Sequence, residues 1–553
     1  MPSGRATARP AVWALPPRRA APRRGLPDRG RPGRGGPGRR SRRVSARPEN
    51  RRRPGRGERT GGAIRQLPFG QVARRLAPVE VLSADEVEAI HRAALTVLRD
   101  TGMRVLDPAA RVAYGTAGAR LAEDRVHLDP DMVAEHLRHV PPCFTLEARN
   151  PARSLRLGGQ DMIFASVGGP AYVMDNDRGR RDGTFAEMCD YIRLVQDLNV
   201  IDQEGGGPFE PLDLPAHTRH LDIYHAQIRL LDKSWQTQSL GRARTMDGIE
   251  MAAIMLGTTP EGLIGRPVLL GIINTNSPLQ LDIPMAEGLM TLAAHGQVNV
   301  VTPFTLAGAM APVTLAGALV LQHAEALAGI VLTQIVRPGV PVMYGGFTSN
   351  VDMRSGAPAF GTPEYVKAAQ AGGQLARLIG VPYRSSNVNA ANEVDAQAAW
   401  ESQAALWGAV MGGAHLVEHA AGWLHGGLTA SFEKLIVDAE LLQAMREYLR
   451  PIDTSPAALA LEAIAEVGPG GHFFGAAHTM ERYESAFYAP ILADWDNHPN
   501  WLQRGGVQAR ERANAIWKRM LAEHSDPPLD PAIDEALAAY VARRKAEGGA
   551  PMN

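Results

Sequence analysis

The feature that most constrains the fold is a regular alternation between residues 160 and 425. Short apolar runs rich in β-branched residues are separated there by longer stretches with helical spacing. Eight such runs occur, at residues 162–167, 200–204, 234–239, 267–273, 298–306, 340–347, 381–387 and 414–419. Strands that alternate with helices favour a parallel sheet, and eight repeats favour its closure into a (β/α)8 barrel, the TIM-barrel architecture of the α/β class.

The helical stretches between these runs have apolar residues at positions that share one helix face. They include residues 184–198, 216–231, 284–295, 314–335, 362–379 and 395–411. Most of the runs are followed by Gly-rich, polar segments that we expect to be loops, such as residues 345–350, whereas the turns before them are plain, as at Arg337-Pro338-Gly339. Because barrel enzymes keep their active sites at the carboxyl ends of the strands, this asymmetry predicts the working face.

Further segments flank the predicted barrel of residues 160–425. Ser83 with Glu86 three positions later is a capping-box signal, so residues 80–155 are expected to form a helical N-terminal cap. Residues 426–545 contain a Gly-rich stretch, a helical pattern from about Glu481 to Leu492 and an Ala-, Arg- and Glu-rich helical pattern at the end. We expect them to form a C-terminal extension that covers the barrel mouth or edge.

The N-terminal segment, residues 1–62, differs from the remainder in composition. Its first 60 residues carry 19 Arg and no Lys against Asp28, Glu49 and Glu58, so the remaining chain has a formal charge of about −15 out of the overall +1. Few apolar residues occur in the segment, which predicts disorder. A start codon assigned too far upstream is favoured over a polyanion-binding tail or a targeting extension. The acidic remainder argues against nucleic-acid binding.

The cysteines and the apolar segments bear on metal binding and on where in the cell the protein is expected. Cys143 and Cys189 are the only cysteines, and neither has a second Cys or a His at metal-ligand spacing. The chain contains neither an apolar run of about 18 residues nor a secretory signal pattern, so we expect no membrane span and a cytoplasmic protein.

Several long strings resemble one known family. They are YGGFTSNVDMRSGAPAFGTPEY at residues 344–365, GIINTNSPL at 271–279, TPFTLAGAMAPVT at 302–314 and GHFFG at 471–475. Taken together they resemble the trimethylamine methyltransferase family over roughly residues 80–510. The resemblance implies a (β/α)8 barrel that binds a methylated amine and passes a methyl group to a separate corrinoid protein.

The founding members of that family use pyrrolysine, whereas this barrel contains only standard residues. The sequence therefore resembles the branch associated with quaternary amines such as glycine betaine, which weakens the case for trimethylamine itself. A quaternary nitrogen leaves as a neutral tertiary amine and needs no proton donor. Catalysis then depends on holding the methyl carbon in line with cobalt and on excluding water.

A trimethylammonium group cannot donate an N–H hydrogen bond, and it binds aromatic faces and carboxylates instead. The aromatic candidates on the working face are Tyr172, Phe209, Phe347, Phe360 and Trp423, and Glu204 is the candidate for the opposite charge. A substrate carboxylate would need hydrogen-bond donors. The candidates are Asn276, Ser386, Asn387, His425, His472 and the amides of Gly345-Gly346.

Other chemistries are less favoured. His415 and His419 are spaced so that both could share one face, but packing or substrate contact is favoured over a metal site. The Gly-rich segments lack the residues of a nucleotide-binding loop. No cobalamin-binding motif occurs, so we expect the corrinoid on a partner protein, and a homo-oligomer is also expected.

Two alternatives from other classes stay open. A barrel lyase or isomerase acting on a methylated amine would need a base that titrates near neutral pH, and Glu204 or His472 would have to supply it. A non-catalytic betaine-binding protein is the second alternative.

Overall fold

The computed structural model describes residues 64–551, so the Arg-rich segment expected at residues 1–62 lies outside the described residues. The N-terminal part joins short strands to short helices. Its elements are β1 Val72–Ala73, α1 Ala84–Thr96 with a π-helix at Val97–Thr101, β2 Met103–Val105, α2 Pro108–Thr116, β3 Arg120–Ala122, β4 Arg125–His127, α3 Pro130–Leu137, β5 Cys143–Leu146 and β6 Leu155–Gly158, with a 3-10 turn at Pro151–Arg153.

The central part carries the longer elements. Its first half consists of β7 Asp161–Ser166, β8 Tyr172–Asp175, β9 Gly179–Asp182, α4 Phe185–Asp197, α5 Arg219–Leu230, α6 Gly241–Met255, a 3-10 turn at Glu261–Leu263, β10 Leu270–Thr275, β11 Gln280–Leu281 and α7 Ile283–Ala294. Its second half consists of β12 Val298–Ala307, α8 Leu315–Val336, β13 Val342–Gly345, β14 Phe347–Val351, β15 Pro358–Ala359, α9 Pro363–Leu378, β16 Tyr383–Ser386, α10 Ala396–Gly412, β17 Leu416–Ala421, β18 Trp423–Leu424, a 3-10 turn at His425–Gly427, β19 Thr429–Ser431 and α11 Phe432–Tyr448.

The C-terminal part is helical. Its elements are α12 Pro456–Leu459, α13 Leu461–Val467, a 3-10 turn at Phe473–Gly475, α14 Ala477–Arg482, α15 His498–Gln503, α16 Ala509–Glu523 and α17 Pro531–Ala546.

A parallel run of strands forms the centre of the largest sheet. Its order is β10–β12–β13–β16–β17–β7. Isolated parallel bridges join Ala165 of β7 to Gln203, Gln203 to Ser234, and Gln236 to Leu270 of β10. The two outer strands of the run are therefore linked through the segments around residues 203 and 235.

The predicted helices are confirmed, and the predicted strands are confirmed in part. The six predicted helical stretches correspond to α4, α5, α7, α8, α9 and α10 to within three residues at each end. Of the eight predicted strands, six form, whereas residues 200–204 and 234–239 make only isolated bridges. One reason is that the carboxylate of Asp202 accepts the amide hydrogen of Phe164 at 2.9 Å, which replaces part of a backbone ladder.

Three other expectations differ in detail. Residues 345–350, expected as a loop, contain β14, whose residues 347–350 pair with β12. Residues 80–155, expected as a helical cap, begin with the predicted capping box at Ser83 but also contain β2, β3, β4 and β5. The helix expected from about Glu481 to Leu492 is wrong for most of its length, because α14 ends at Arg482 and residues 483–492 are not helical.

The last two helices of the C-terminal part pack on the outer helices. α16 contacts α11 and α4, and α17 contacts α5 and α6. On α6, the buried carboxylate of Asp247 accepts hydrogen bonds from Tyr540 at 2.7 Å and from Arg544 at 2.6 Å, and it also bonds His220 at 2.8 Å. These buried polar contacts fix α17 to the central part.

Helix α8 is apolar on all sides because it is enclosed. Within the described residues it is the one helix long and apolar enough to cross a membrane by length and composition, and 78% of its apolar window is buried inside the protein. It packs on β12 and on the neighbouring helices α1, α3, α7 and α9. A helix covered on every side by protein is expected to lack a polar face.

Candidate functional site

A cavity of about 670 Å³ opens at the carboxyl ends of the parallel strands. This volume lies in the range typical of small-molecule sites. The segments that follow successive strands supply its wall, which is lined by Gly168, Gly169, Gly205, Gly206, Glu210, Gln236, Thr237, Gln238, Ser239, Leu240, Ile272, Asn274, Thr275, Asn276, Ser277, Met285, Thr302, Phe304, Met310, Phe347, Arg384, Glu418, His419, Trp423 and Gly427.

Aromatic rings form one side of the cavity. Phe347 is central: its ring centre lies 5.2 Å from that of Phe304 and 6.2 Å from that of Trp423. Phe360 packs behind Phe347 and Trp423, at 5.7 and 6.1 Å. The indole nitrogen of Trp423 donates to the carbonyl oxygen of Asn389 at 3.1 Å, which fixes the ring plane. Such offset and edge-to-face pairs hold aromatic faces in place for a ligand.

The cavity wall contains one buried carboxylate on β17. Glu418 is 1% exposed, and its Oε2 accepts a hydrogen bond from Nε2 of Gln236 at 2.9 Å, while Oε1 has no partner in the described residues. Burial raises the pKa of Glu418, and the nearby Arg384 opposes this. The free Oε1 therefore makes Glu418 a candidate for contact with a cation.

Arg384 on β16 places a guanidinium in the same wall. The residue is 1% exposed, and neither Nε nor Nη1 has a hydrogen-bond partner among residues 64–551. Its guanidinium carbon lies 5.4 Å from the ring centre of Phe347. Burial lowers the pKa of Arg384, and Glu418 opposes this. A buried guanidinium without acceptors is unusual, because each unmet donor carries a desolvation cost.

His419 adds a neutral ring to the wall. Burial holds the pKa of His419 well below its ordinary value, and the neighbouring Arg384 acts in the same direction. The imidazole lies 4.3 Å from the indole of Trp423 between ring centres. An uncharged imidazole leaves the aromatic side of the cavity free of a second positive charge near a cationic ligand.

The structure brings part of the predicted set of site residues together. Phe347, Trp423 and Asn276 line the cavity, and Phe360 supports the two aromatic rings from behind. The side-chain amide of Asn276 donates to Asp282 at 2.9 Å, so one of its polar groups is already occupied.

Glu204 is buried but lies outside the cavity wall. Its carboxylate accepts hydrogen bonds from the backbone of Gly206 at 3.0 Å and of Gly207 at 2.8 Å, and also from the side chain of Gln227. Burial raises the pKa of Glu204 to about 7, and these hydrogen bonds oppose the shift. The residue thus fixes the glycine loop of which Gly205 and Gly206 face the cavity.

The other polar candidates also lie outside the cavity lining. Asn387 donates to the carbonyl of Ala420 at 2.8 Å, and the ring of His425 bonds Thr429 and the carbonyl of Asn392. Ser386 is fully buried on β16, and His472 is exposed in the C-terminal part.

Two of the aromatic candidates have structural contacts of their own. Phe209 packs against Tyr191 at 6.0 Å between ring centres. Tyr172 on β8 lies under the guanidinium of Arg180 at 3.9 Å.

No group of three or more His, Cys, Asp or Glu residues suited to hold a metal occurs within residues 64–551. The two histidines considered for a metal have different surroundings. His415 bonds the backbone of Tyr383 and Gly159, whereas His419 lines the cavity.

Sequence reasoning missed the two buried charged residues of the wall, Arg384 and Glu418. Both lie inside predicted strands, at residues 381–387 and 414–419, whereas most of the predicted site residues lie at strand ends or in the loops that follow strands. A charged residue inside an otherwise apolar strand is itself a signal, because buried charges need a partner.

Comparisons with known proteins agree with the resemblance described above. The profile of the family "Trimethylamine methyltransferase (MTTB)" matches residues 48–549. The glycine betaine methyltransferase of Desulfitobacterium hafniense (strain Y51) is 35% identical over 470 residues, which cover 85% of this chain and 98% of that protein. A trimethylamine methyltransferase of Methanosarcina barkeri is 26% identical over 481 residues, which cover 84% of this chain and 94% of that protein.

Among solved structures, the monomethylamine methyltransferase of Methanosarcina barkeri aligns with a TM-score of 0.45 and 8% identity, and the alignment covers 79% of this chain and 92% of that chain. The family profile spans nearly all of the described residues, and a relative above 30% identity is covered almost completely. The chain therefore belongs to the trimethylamine methyltransferase family and is a methyltransferase.

Proposed function

We propose that this methyltransferase takes a methyl group from a quaternary amine of the glycine betaine type and transfers it to the cobalt of a corrinoid carried by a partner protein. The observation that carries the proposal is the composition of the cavity wall. Aromatic rings of Phe304, Phe347 and Trp423 lie in one cavity with the buried charges of Glu418 and Arg384. A small zwitterion with a trimethylammonium group complements such a wall.

The aromatic side suits the cationic end of this substrate. The faces of Phe347 and Trp423 attract a trimethylammonium group, and the free Oε1 of Glu418 adds a favourable charge at longer range. The neutral imidazole of His419 does not oppose it. Together these residues bind and orient the cation and limit water around the methyl carbon.

The leaving group needs no acid. When a quaternary nitrogen loses a methyl group, it keeps the electron pair of the broken C–N bond and departs as a neutral tertiary amine. The cavity therefore needs no proton donor aimed at nitrogen, and its residues act by position and charge. The corrinoid supplies the nucleophile when the partner protein delivers it.

We also propose that the parallel strands form a (β/α)8 barrel. The pairings of β10, β12, β13, β16, β17 and β7, together with the bridges through Gln203 and Ser234, support a continuous circuit of eight positions. A cavity at the carboxyl ends of the strands is where barrel enzymes keep their active sites.

Exposed apolar side chains in segments that follow the strands support a docking site for a protein near the cavity. We name it the mouth rim, and its members are Leu240, Ile283, Met310, Val313, Met353 and Leu428, which are between 38% and 71% exposed. Leu240 and Met310 line the cavity itself. Exposed apolar patches with polar surroundings are typical of protein interfaces.

We propose different roles for the aromatic and polar residues in and around the cavity. Phe304, Phe347, Trp423 and Glu418 are proposed to contact the ammonium end, and Asn276 is proposed to contact substrate from the opposite wall. Phe360 supports the aromatic rings, and Glu204 is proposed to act by fixing the glycine loop. Contacts from Asn387, His425 and His472 stay predictions.

The lyase or isomerase alternative is less well supported. The raised pKa of Glu204, about 7, would suit a general base. Its carboxylate is directed at the amides of Gly206 and Gly207 and at Gln227, away from the cavity lining. His472, the other candidate base, is exposed in the C-terminal part.

The assembly is a further proposal. We propose a homo-oligomer, because the C-terminal arm, which we define as residues 450–507, exposes large apolar side chains; the cytoplasmic location stays a prediction. Ile452, Leu461, Phe474, Phe487 and Trp495 are between 68% and 89% exposed in the single chain. Burial of these side chains against a second copy would remove them from water.

Methyl transfer to reduced free cobalamin tests the proposed function. Purified protein is mixed with cob(I)alamin, and the visible spectrum is followed for methylcobalamin while glycine betaine, carnitine, proline betaine, choline and trimethylamine are offered one at a time. We expect methylcobalamin from a betaine and none from trimethylamine. Binding of a betaine in a calorimeter without methylcobalamin from any amine would contradict the transferase and favour the binding-protein or lyase alternatives.

A further inference from the structure

The strand register divides the charged and aromatic groups of the cavity into two levels. Arg384 lies in register with Gly345 and Leu416, whereas Glu418 lies in register with Ser386, two residues further along the strands. Phe347 and Phe304 are in register with each other, and Phe347 lies two residues beyond Gly345. Two residues of a parallel strand span about 6.6 Å. The backbone of Arg384 therefore lies deeper along the strands than the backbone of Glu418 and of the two phenylalanines.

Two adjacent glycines lie beside Arg384 at the deep level. Gly345 stands in register with Arg384, and a Cβ atom there would come 2.1 Å from Oγ1 of Thr302. The neighbouring Gly346 is equally restricted, because a Cβ atom would come 2.7 Å from the hydroxyl oxygen of Tyr383. The strand next to Arg384 thus carries no side chain at this level, and Thr302 and Tyr383 occupy the space beside its two glycines.

The guanidinium needs acceptors that the described chain does not supply. Both Nε and Nη1 of Arg384 are buried without a hydrogen-bond partner in residues 64–551, although Arg384 lines the cavity. The nearby Glu418 offers its Oε2 to Gln236 rather than to Arg384. A guanidinium presents its donors in pairs, Nε with Nη2 and Nη1 with Nη2, and each pair forms a fork that matches the two oxygens of a carboxylate. Leaving this fork empty inside the protein is costly, so a ligand carboxylate is the chemical complement.

We propose that Arg384 anchors the carboxylate of the substrate at the deep level of the cavity, so that the trimethylammonium end points outwards between Phe304, Phe347 and Glu418. This inference rests on the proposed function and deepens it, because it restricts the substrate to quaternary amines that carry a carboxylate. The anchored end fixes which methyl groups reach the mouth, where the partner's corrinoid must approach. Choline, which has a hydroxyl group in place of the carboxylate, lacks the group that Arg384 binds.

The test uses ligands that differ in one end at a time. Glycine betaine has both charged ends, choline has only the cationic end, and 3,3-dimethylbutanoate has only the carboxylate, with carbon in place of nitrogen. The neutral alcohol 3,3-dimethylbutanol has neither charge. Binding of each to the full-length protein is measured by isothermal titration calorimetry, for the wild type and for Arg384→Met, Arg384→Lys and Arg377→Met.

We expect Arg384→Met to weaken the binding of glycine betaine and 3,3-dimethylbutanoate by about 30-fold or more, since charged hydrogen bonds are lost. The affinities for choline and the alcohol should stay nearly unchanged. Arg384→Lys should recover part of the affinity because it keeps the charge but not the fork. Arg377→Met is the matched control, because Arg377 donates to the carbonyl of Gly412 away from the cavity lining. If Arg384 had only a structural role, Arg384→Met would weaken the binding of all four ligands together.

Two results would contradict the proposal that Arg384 binds the substrate carboxylate. One is equal affinity of the wild type for choline and glycine betaine, which needs no variant and so does not depend on whether Arg384→Met folds. The other is an unchanged affinity of a folded Arg384→Met for glycine betaine. The methyl-transfer assay is run on the same proteins: selective loss of carboxylate ligands without any methylcobalamin from the wild type would contradict the proposed function and leave the anchor standing.

Discussion

The side-chain amide of Gln236 donates a hydrogen bond of 2.9 Å to Oε2 of Glu418, although the two residues are 182 positions apart in the chain. The same nitrogen also donates to Oε1 of Gln203 at 3.1 Å. Gln236 therefore links the segments around residues 203 and 235 to β17 and leaves the second oxygen of Glu418 free toward the cavity. A carboxylate held in one rotamer loses less entropy when it meets a cation.

We predict that Glu418→Gln weakens the binding of choline by about tenfold, because the variant keeps the shape of the side chain but removes the charge near the ammonium group. Binding of 3,3-dimethylbutanoate should stay constant or become tighter, since Arg384 then faces no competing carboxylate. Calorimetry with both ligands measures the change. Glu440→Gln is the control, because Glu440 bonds Tyr488 and Leu492 on the outer surface. Equal weakening of both ligands would contradict the assigned role.

The indole of Trp423 is predicted to contribute through its face. Trp423→Leu should weaken choline and glycine betaine by about 5- to 30-fold, which corresponds to a desolvated cation–π contact, and should change 3,3-dimethylbutanol much less. Titration followed by intrinsic fluorescence or calorimetry gives the affinities. Trp407→Leu provides the comparison, since Trp407 packs against Tyr448 outside the cavity lining. If the alcohol loses as much affinity as choline, the indole acts only by packing.

The raised pKa of Glu204 predicts a pH dependence of stability. Its pKa is about 7 in the folded protein against an ordinary value of 4.5, so the folded state binds the proton more tightly. This contribution is present below pH 4.5 and is lost as the pH rises through 7. Chemical denaturation of the wild type and of Glu204→Gln should therefore differ with pH, and the wild type should lose about 3 kcal/mol relative to the variant between pH 4.5 and 8. Parallel stability curves would disprove the shift.

The mouth rim is predicted to serve the partner protein rather than the amine. Val313→Asp and Met353→Asp should lower kcat/KM for a corrinoid bound to its carrier protein by about tenfold or more, because a charge enters an apolar contact. Transfer to free cob(I)alamin and binding of glycine betaine should be unchanged. Val112→Asp, which places the same charge on an exposed site of α2, is the control. Loss of transfer to free cob(I)alamin in the rim variants would reject this role.

The C-terminal arm is predicted to hold copies of the chain together. Phe474→Asp and Phe487→Asp place charges where the side chains are 86% and 85% exposed in the single chain. They should shift the protein to smaller assemblies in light scattering coupled to size-exclusion chromatography, while the circular dichroism spectrum stays the same. Leu121→Asp, on β3, should leave the assembly intact. A wild-type protein that is monomeric at micromolar concentration would refute the prediction.

Much of the fold follows from local signals in the sequence. Thr184 with Glu187 forms a capping box at the start of α4, and the apolar spacing after it defines the buried face of that helix. The segments around residues 203 and 235 could not be predicted as isolated bridges, because side chains replace backbone pairing there. Asp202 takes the amide hydrogen of Phe164, and Lys233 donates to three backbone carbonyls. Side-chain hydrogen bonds that replace backbone pairing depend on residues far away in the chain, so they leave no local pattern in the sequence.

The site was predictable on its aromatic side and not on its charged side. Phe347 and Trp423 follow or end predicted strands, so their place at the carboxyl ends could be inferred. Arg384 and Glu418 lie within strands, where the direction of a side chain depends on the register with neighbouring strands. Glu204 ends a predicted strand, but the backbone amides of Gly206 and Gly207 turn its carboxylate away.

The contact between Asp247 and the last helix also has a consequence for synthesis. Asp247 emerges from the ribosome 297 residues before Arg544, its cationic partner. At ordinary rates of translation this interval is roughly 15 to 60 seconds. Once residue 427 has been made, the nascent chain contains every residue that lines the cavity, yet α5 and α6 still lack their cover and Asp247 lacks its cation.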